Sequence, residues 1–325
     1  MNDTLRAYLF LIFGVLCIGF SAIFVRWADA PGAVTGFYRM AIAVLILALP
    51  FFRRQHSARP AAPWHLPRRE VAIALLGGGF FAADLIFWNT GILLGGATNP
   101  TLMGNTAPVW VGLGALIFFR ERLPLPFWLG LLLAMAGAAL ILGLDVIQDF
   151  SLGLGTFFGL IAGVFYGGYF LLTQRGRQQL DALTYFWIAA ASSTVWLFLA
   201  ALLLRQPLLG YTSFTYLNFL ALGLVTQVFG QFSFSYALGY LPASVVSPAG
   251  LGQPVVTAIL AWPLLGETIA PFQAAGGFAV LAGVYIVHRS RLRRAPAAQD
   301  PVHLHAPADE SASSDPLGTH PNSQT

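Results

Sequence analysis

Two ionisable residues, Arg39 and Asp84, lie inside long apolar stretches of this sequence. A charged side chain at the bilayer centre costs about 2.5–3.5 kcal/mol on insertion scales, so such residues mark functional sites or paired charges. At 1.5 Å per helical residue, we expect Asp84 about 12 Å and Arg39 about 10 Å below the same membrane face. Two interpretations are open: Asp84 binds a cationic group or carries a proton, or it forms a structural ion pair with Arg39.

Amide and aromatic side chains supply further candidate ligands. Gln227 and Gln231 are four residues apart, which places them on one helix face. A glutamine that faces lipid leaves its amide without hydrogen bonds, so this face must contact protein or water. Such residues line a cavity or join helices, and we favour lining for these two and Asn105. The candidate substrate-binding residues are Asp84, Trp88, Asn105, Tyr166, Gln227, Gln231, Tyr236 and Gln253.

Composition identifies the elements that must position these residues. Of the 325 residues, 57% are hydrophobic and only 9% are charged, far below the roughly 25% charge of soluble domains. The apolar runs are about 20 residues long, the length that crosses a hydrocarbon core. The sequence therefore predicts an all-α membrane protein with ten spans: 7–26, 33–52, 71–93, 98–118, 125–144, 152–173, 182–204, 214–237, 243–264 and 271–288.

Glycine and proline positions repeat along the chain. A shift of 146 residues places Gly104 on Gly250 and Pro108 on Pro254. These residue types mark close helix contacts and kinks, so the repeat is structural, and paired interruptions in two halves point to a central site. We predict three regions: a first repeat over 7–144, a second over 152–288, and a disordered cytoplasmic tail over 289–325.

Arginine placement predicts the orientation of the spans. With the N-terminus in the cytoplasm, fourteen arginines fall on the cytoplasmic side and only Arg26 and Arg205 fall near the outer face. Five spans per half is an odd number, so the second half must enter the membrane upside down. We therefore expect an inverted repeat with both termini in the cytoplasm, in the inner (plasma) membrane.

Several functional classes are disfavoured by what the sequence lacks. All 17 basic residues are arginines, which excludes a retinal-type Schiff base, a P-loop lysine and lysine-based covalent chemistry. No Gly-x-Ser-x-Gly or His-Glu-x-x-His pattern is present, and Cys17 is the only cysteine. We expect no metal, no cofactor and no catalytic residues. The net charge of +4 reflects topology and lipid headgroups, not nucleic acid.

Three segments resemble the drug/metabolite transporter superfamily, specifically its EamA-type ten-helix members. They are SAIFVRWADAPGAVTGFYRMAIAVLI (21–46), FFAADLIFWNTGILLGGATNPTLMGNTAPVWVGLGALIFFRERL and LPASVVSPAGLGQPVVTAILAWPLLGETI. The resemblance covers residues 7–288. It implies two EamA repeats packed around a central cavity and alternating-access transport of small metabolites, frequently export.

The leading functional hypothesis is therefore a secondary transporter of small metabolites such as amino acids, amines or drug-like compounds, which the resemblance favours as an exporter. Its partners would be a small-molecule substrate and the lipid bilayer; a homodimer is left open. Two alternatives remain: a passive small-molecule channel, and a membrane-embedded enzyme acting on lipid-linked substrates. The second is disfavoured, because the loops are too short to build a cluster of catalytic carboxylates or histidines.

Overall fold

The computed structural model describes residues 2–58, 66–95, 98–143, 153–266 and 268–292. Within these residues, ten helical spans are long and apolar enough to cross a membrane, which confirms the predicted number and positions. They are numbered in chain order: Asp3–Ala28, Gly32–His56, Arg68–Ile92, Asn99–Phe118, Leu125–Leu142, Leu154–Gly176, Ala182–Leu203, Ser213–Ala237, Ala243–Leu264 and Pro271–Arg291.

The outer surface is apolar and the interior holds polar groups, the inverse of a soluble protein. Large side chains such as Leu45, Phe118 and Phe278 are exposed, as expected for residues that face lipid. Spans 8 and 9 carry buried polar side chains, among them Gln227 and Ser247. Those polar groups must find partners within the protein, or water in an internal cavity.

Spans 4 and 9 are interrupted at corresponding places. Span 4 consists of helices Thr98–Gly104 and Ala107–Phe118. Span 9 consists of helix Ala243–Ala249, a 3₁₀ turn at Gly250–Gly252, and helix Gln253–Leu265. Pro108 and Pro254 are each the second residue of the helix that restarts, where a missing N–H group costs little.

Span 8 contains a further irregularity, which the sequence did not predict. Residues Leu222–Gln231 form a π-helix between helices Ser213–Ala221 and Phe232–Ala237. Wider i→i+5 turns of this kind occur frequently at functional sites. Here the π-helix carries both Gln227 and Gln231, so the spacing of the two amides is not that of a regular α-helix.

The largest contacts between spans recur when each span is exchanged for the one five places away. Spans 3 and 6 pack together, and so do their equivalents, spans 8 and 1. Spans 4 and 6 also pack together, as do spans 9 and 1. The contact between spans 2 and 8 corresponds in the same way to that between spans 7 and 3. Two further pairs, spans 2 and 7 and spans 5 and 10, are equivalent spans that pack directly on each other. The two halves thus contribute equivalent contacts.

Spans 5 and 10 cross through glycines that are themselves related by 146 residues. A Cβ atom built on Gly137 would lie 2.5 Å from the carbonyl oxygen of Gly276, and one on Gly130 would lie 2.8 Å from that of Gly283. Gly130 therefore opposes Gly283 and Gly137 opposes Gly276, so the two spans run antiparallel. Close approach of backbones through small residues is a usual basis of helix packing in membranes.

Substituting Gly276 by alanine should destabilise the protein, by about 1–3 kcal/mol, as overpacking does. The added Cβ would lie 2.6 Å from the Gly137 carbonyl oxygen, a backbone atom that cannot rotate away. Gly277→Ala is the matched control, because its Cβ would meet nothing closer than Val255 at 3.8 Å. Thermal unfolding in detergent should separate the two variants; equal unfolding temperatures would contradict the close crossing.

The last helix extends from Pro271 to Leu292, four residues past the predicted end of the second repeat. The remainder of the predicted tail, 293–325, lies outside the described residues.

Candidate functional site

A cavity lies where the interruptions of spans 4 and 9 face each other. Its volume is about 30 Å³, enough for about two water molecules. Gly104 and Gly250 both line it, and they are equivalent positions of the two halves. The other lining residues come from spans 1, 4, 6, 8 and 9: Val15, Ile18, Asn105, Ala107, Pro108, Tyr166, Phe170, Phe234, Ser247, Leu251 and Gln253.

Arg39 is held by a glutamine from the other half of the chain. Its Nη2 donates a hydrogen bond of 2.5 Å to Oε1 of Gln227, and Nε2 of Gln227 lies 2.6 Å from the sulfur of Met40. Gln227 is fully buried, so it fixes one edge of the guanidinium group. The Nε atom of Arg39 is buried and has no hydrogen-bond partner among the described residues.

Asp84 lies within electrostatic reach of both Arg39 and Tyr166. Among the residues that the structure describes, however, no hydrogen bond or direct ion pair joins its carboxylate to Arg39 or to any other group. The two charges predicted at matching depth are therefore neighbours that do not touch. Both interpretations of these charges, a site for a cationic group or a proton and a structural charge pair, therefore stay predictions.

Tyr166 connects the charged residues to the cavity. It lines the cavity, and its hydroxyl lies near Arg39 and Asp84. The side chain of Gln231 lies near the hydroxyls of Tyr166 and Tyr169, whose rings are stacked with centroids 6.2 Å apart, and its Nε2 atom has no hydrogen-bond partner among the described residues. Tyr169 was missed by the sequence analysis, although its three-residue spacing from Tyr166 places it on the same helix face.

The remaining predicted site residues have separate positions. Trp88 donates from Nε1 to the Thr101 hydroxyl at 3.2 Å, which ties span 3 to span 4 beside the cavity. Asn105 and Gln253 line the cavity from opposite halves. Tyr236 is not brought to it: its ring packs on Phe10 at 4.3 Å and faces Tyr240 near the end of span 8.

A second polar cluster, the Glu121 cluster, joins the ends of three spans at one membrane face. Oε2 of Glu121, which follows span 4, accepts hydrogen bonds from the Ser244 hydroxyl at 2.6 Å and from Nη2 of Arg291 at 2.7 Å. Ser244 begins span 9 and Arg291 ends span 10. The glutamate is only 13% exposed, so its charge is poorly hydrated and depends on these donors.

Further contacts close the same face around the ends of spans 6 and 8. Oε1 of Gln174 accepts a hydrogen bond of 2.6 Å from the backbone N–H of Ala243. Nε of Arg177 donates to the Ser235 carbonyl oxygen at 2.9 Å. The sequence analysis gave these residues no role, although Glu121 recurs as Glu267 after the same shift of 146 residues.

Several curated relatives align with most of the chain and are named as transporters. An uncharacterised transporter of Archaeoglobus fulgidus is 29% identical over 77% of this chain and 85% of its own length. A riboflavin transporter of Rhizobium johnstonii is 26% identical over 81% and 83%. A probable terminal-alkyne amino-acid exporter of Streptantibioticus cattleyicolor is 27% identical over 85% and 94%.

The fold itself is shared with a solved protein. A crystal structure that is 16% identical superposes with a TM-score of 0.72, over 88% of this chain and 99% of that one. The model of the EamA-like transporter family matches residues 5–143 and again 153–289, nearly all of the membrane region. This chain, whose two matched halves meet at the cavity, belongs to the EamA-like transporter family of the drug/metabolite transporter superfamily.

Proposed function

We propose that this protein is a secondary transporter, and an exporter, that moves small metabolites such as amino acids, amines or drug-like compounds across the inner (plasma) membrane by alternating access. Transport of small molecules across a membrane follows from the family and its relatives. The observation that supports the mechanism best is the cavity at the paired interruptions of spans 4 and 9. Such paired broken helices mark substrate sites in transporters built from repeats.

The architecture proposed with it is an inverted repeat, with spans 1–5 and spans 6–10 in opposite orientations. The antiparallel crossing of spans 5 and 10 supports this, because equivalent helices of an inverted repeat must run in opposite directions. The exchange symmetry of the packing supports it as well. The excess of arginines at the predicted cytoplasmic loops supports an orientation with both termini on the inner side of the membrane.

An inverted repeat provides a simple structural basis for alternating access. If each half can adopt the conformation of the other, the same site opens first to one side and then to the other. In the conformation described, the Glu121 cluster ties the ends of spans 4, 9 and 10 together, and the central cavity is small. We assign this conformation to a carrier closed on the cytoplasmic side.

Flux measurements in proteoliposomes test the proposal. Purified protein is reconstituted, and compounds that raise its unfolding temperature are assayed for uptake and for counterflow against unlabelled compound. A carrier should give saturable uptake that is stimulated by the unlabelled compound on the opposite side. Non-saturable flux without counterflow would identify a channel, and a chemically altered product would identify an enzyme.

A further inference from the structure

An apolar groove lies between spans 1, 9 and 10, on the surface of the helical bundle. Its volume is about 400 Å³, within the roughly 300–1,000 Å³ range of ligand pockets. Tyr8 and His288 lie at one end, where span 1 begins and span 10 ends, and their ring centroids are 5.6 Å apart. The remaining walls are apolar side chains or glycine: Leu11, Ile12, Val15, Leu16, Ala249, Gly252, Val255, Val256, Leu281 and Val284.

A pair of equivalent contacts aligns span 1 with span 6. Gly19 of span 1 packs on Val256 of span 9, and Gly167 of span 6 packs on Trp110 of span 4. Trp110 and Val256 are related by the shift of 146 residues that relates the two halves. Gly19 therefore corresponds to Gly167, so spans 1 and 6 align at a shift of 148 residues.

This alignment explains why the groove is present. Span 6 approaches span 4 through two glycines: a Cβ on Gly159 would lie 2.5 Å from the Pro100 carbonyl oxygen, and one on Gly163 would lie 2.8 Å from that of Met103. The corresponding residues of span 1, at the shift of 148, are leucine and valine at 11 and 15. Their larger side chains keep span 1 away from the backbone of span 9, and both line the groove.

The groove has the depth of one membrane leaflet and opens toward the bilayer. From Tyr8 to Leu16, span 1 rises about 12 Å, close to the roughly 15 Å of one leaflet's hydrocarbon. Ile12 and Leu281, on its walls, are 58% and 56% exposed. Exposed apolar side chains at membrane depth face lipid, so the groove is accessible to an acyl chain from the side.

The end of the groove at Tyr8 and His288 is polar and basic. Arg289 follows His288, is exposed, and donates from Nη1 to the Tyr285 hydroxyl at 3.2 Å. Hydroxyl, imidazole and guanidinium groups all donate hydrogen bonds to a phosphate. An apolar groove that ends in such donors matches the chain and the phosphate of a phospholipid, and the arginine favours a negatively charged headgroup.

We propose that this groove binds an acyl chain of an anionic phospholipid from the cytoplasmic leaflet, with the lipid phosphate at Tyr8, His288 and Arg289. The site lies outside the central cavity, so the proposal goes beyond the transport function proposed above.

The bound chain would contact the break of span 9. Gly252 belongs to the 3₁₀ turn of that break, and a Cβ built on it would lie 3.2 Å from Cγ1 of Val15. Leu251 and Gln253, on either side of Gly252, line the central cavity, and Val15 borders both the cavity and the groove. The chain therefore packs on the break from the bilayer side and stabilises the described conformation. Because it binds the folded protein, it should raise the unfolding temperature.

Native mass spectrometry and thermal unfolding of the purified, delipidated full-length protein test the proposal. The probes are phosphatidylglycerol and phosphatidylcholine with the same two palmitoyl chains, and glycerol 3-phosphate, which has no chain. We expect one phosphatidylglycerol to bind and to raise the unfolding temperature, with weaker binding of phosphatidylcholine and none of glycerol 3-phosphate. Failure of phosphatidylglycerol to bind, or equal binding of glycerol 3-phosphate, would overturn the proposal.

Two groove-filling variants locate the chain. Leu281→Trp and Ile12→Trp place a large side chain in the groove and should prevent retention of the lipid. Leu132→Trp in span 5 is the matched control, because Leu132 is 59% exposed and lies away from the groove; it should retain the lipid. If both groove variants bound phosphatidylglycerol as the wild type does, the assignment would be wrong. Conversion of a dimer to a monomer by these variants, without a change in lipid binding, would assign the groove to a second copy of the chain instead.

A charge variant locates the headgroup. Arg289→Gln should lower the preference for phosphatidylglycerol over phosphatidylcholine about fivefold, the effect of one arginine at a membrane surface. Arg53→Gln, an exposed arginine at the end of span 2, is the control and should leave the preference unchanged. Equal preferences in the two variants would contradict the placement of the phosphate.

Discussion

Asp84→Asn is expected to reduce transport by roughly 100-fold while the protein remains folded. The substitution keeps the size of the side chain and removes the charge that faces Arg39. Where the Asp84 carboxylate binds a cationic group of the substrate, loss of this buried contact costs about 2–5 kcal/mol, which corresponds to a 30- to 5000-fold change in affinity. Initial rates of counterflow in proteoliposomes measure the loss, and thermal unfolding in detergent reports the fold.

The double variant Asp84→Asn with Arg39→Gln decides between the two interpretations of these charges. If they serve only as a structural ion pair, the single variant should unfold at a lower temperature and the double variant should recover, because no uncompensated charge remains. If they bind substrate, both variants should fold and neither should transport. Glu70→Gln is the control, since its carboxylate makes no hydrogen bond or ion pair with any described residue and should affect neither quantity.

Glu121→Gln is expected to open the cytoplasmic side of the carrier. A neutral amide replaces the carboxylate that accepts from Ser244 and Arg291, so a charge-assisted contact between spans 4, 9 and 10 is lost. Hydrogen bonds to charged groups contribute about 1.5–3 kcal/mol each, so the population open to the cytoplasm should rise roughly 10- to 100-fold. Ser244→Ala removes a single donor and should have a smaller effect.

Cysteine labelling measures this opening. Ser247 lines the cavity one turn above Ser244, so Ser247→Cys in a Cys17→Ser background reports access to the site. In inside-out vesicles, a membrane-impermeant maleimide should label this cysteine at least tenfold faster when Glu121→Gln is also present. Glu70→Gln again provides the control. An unchanged labelling rate would show that the Glu121 cluster does not hold the closed conformation.

The sequence alone determined the class of the protein and the positions of its ten apolar spans along the chain. Ten apolar runs of membrane length admit few other structures, and the structure has a helix at each of them. The EamA resemblance was also recognisable without coordinates, and the family model confirms it. These features are local, or follow from spacing along the chain, so a single sequence contains them.

Only the tertiary structure decided which side chains meet. Arg39 and Gln227 are 188 residues apart, and Ser244 and Glu121 are 123 apart. In a membrane span, the lipid-facing and protein-facing sides can both be apolar, so hydropathy does not fix the rotation of a helix. The π-helix of span 8 alters that rotation around Gln227 and Gln231, and Tyr236 lies outside the cavity although its type and depth suggested otherwise. The rotation, tilt and local unwinding of each helix are set by its packing against neighbouring spans. This packing brings Arg39 and Asp84 close together without a direct contact.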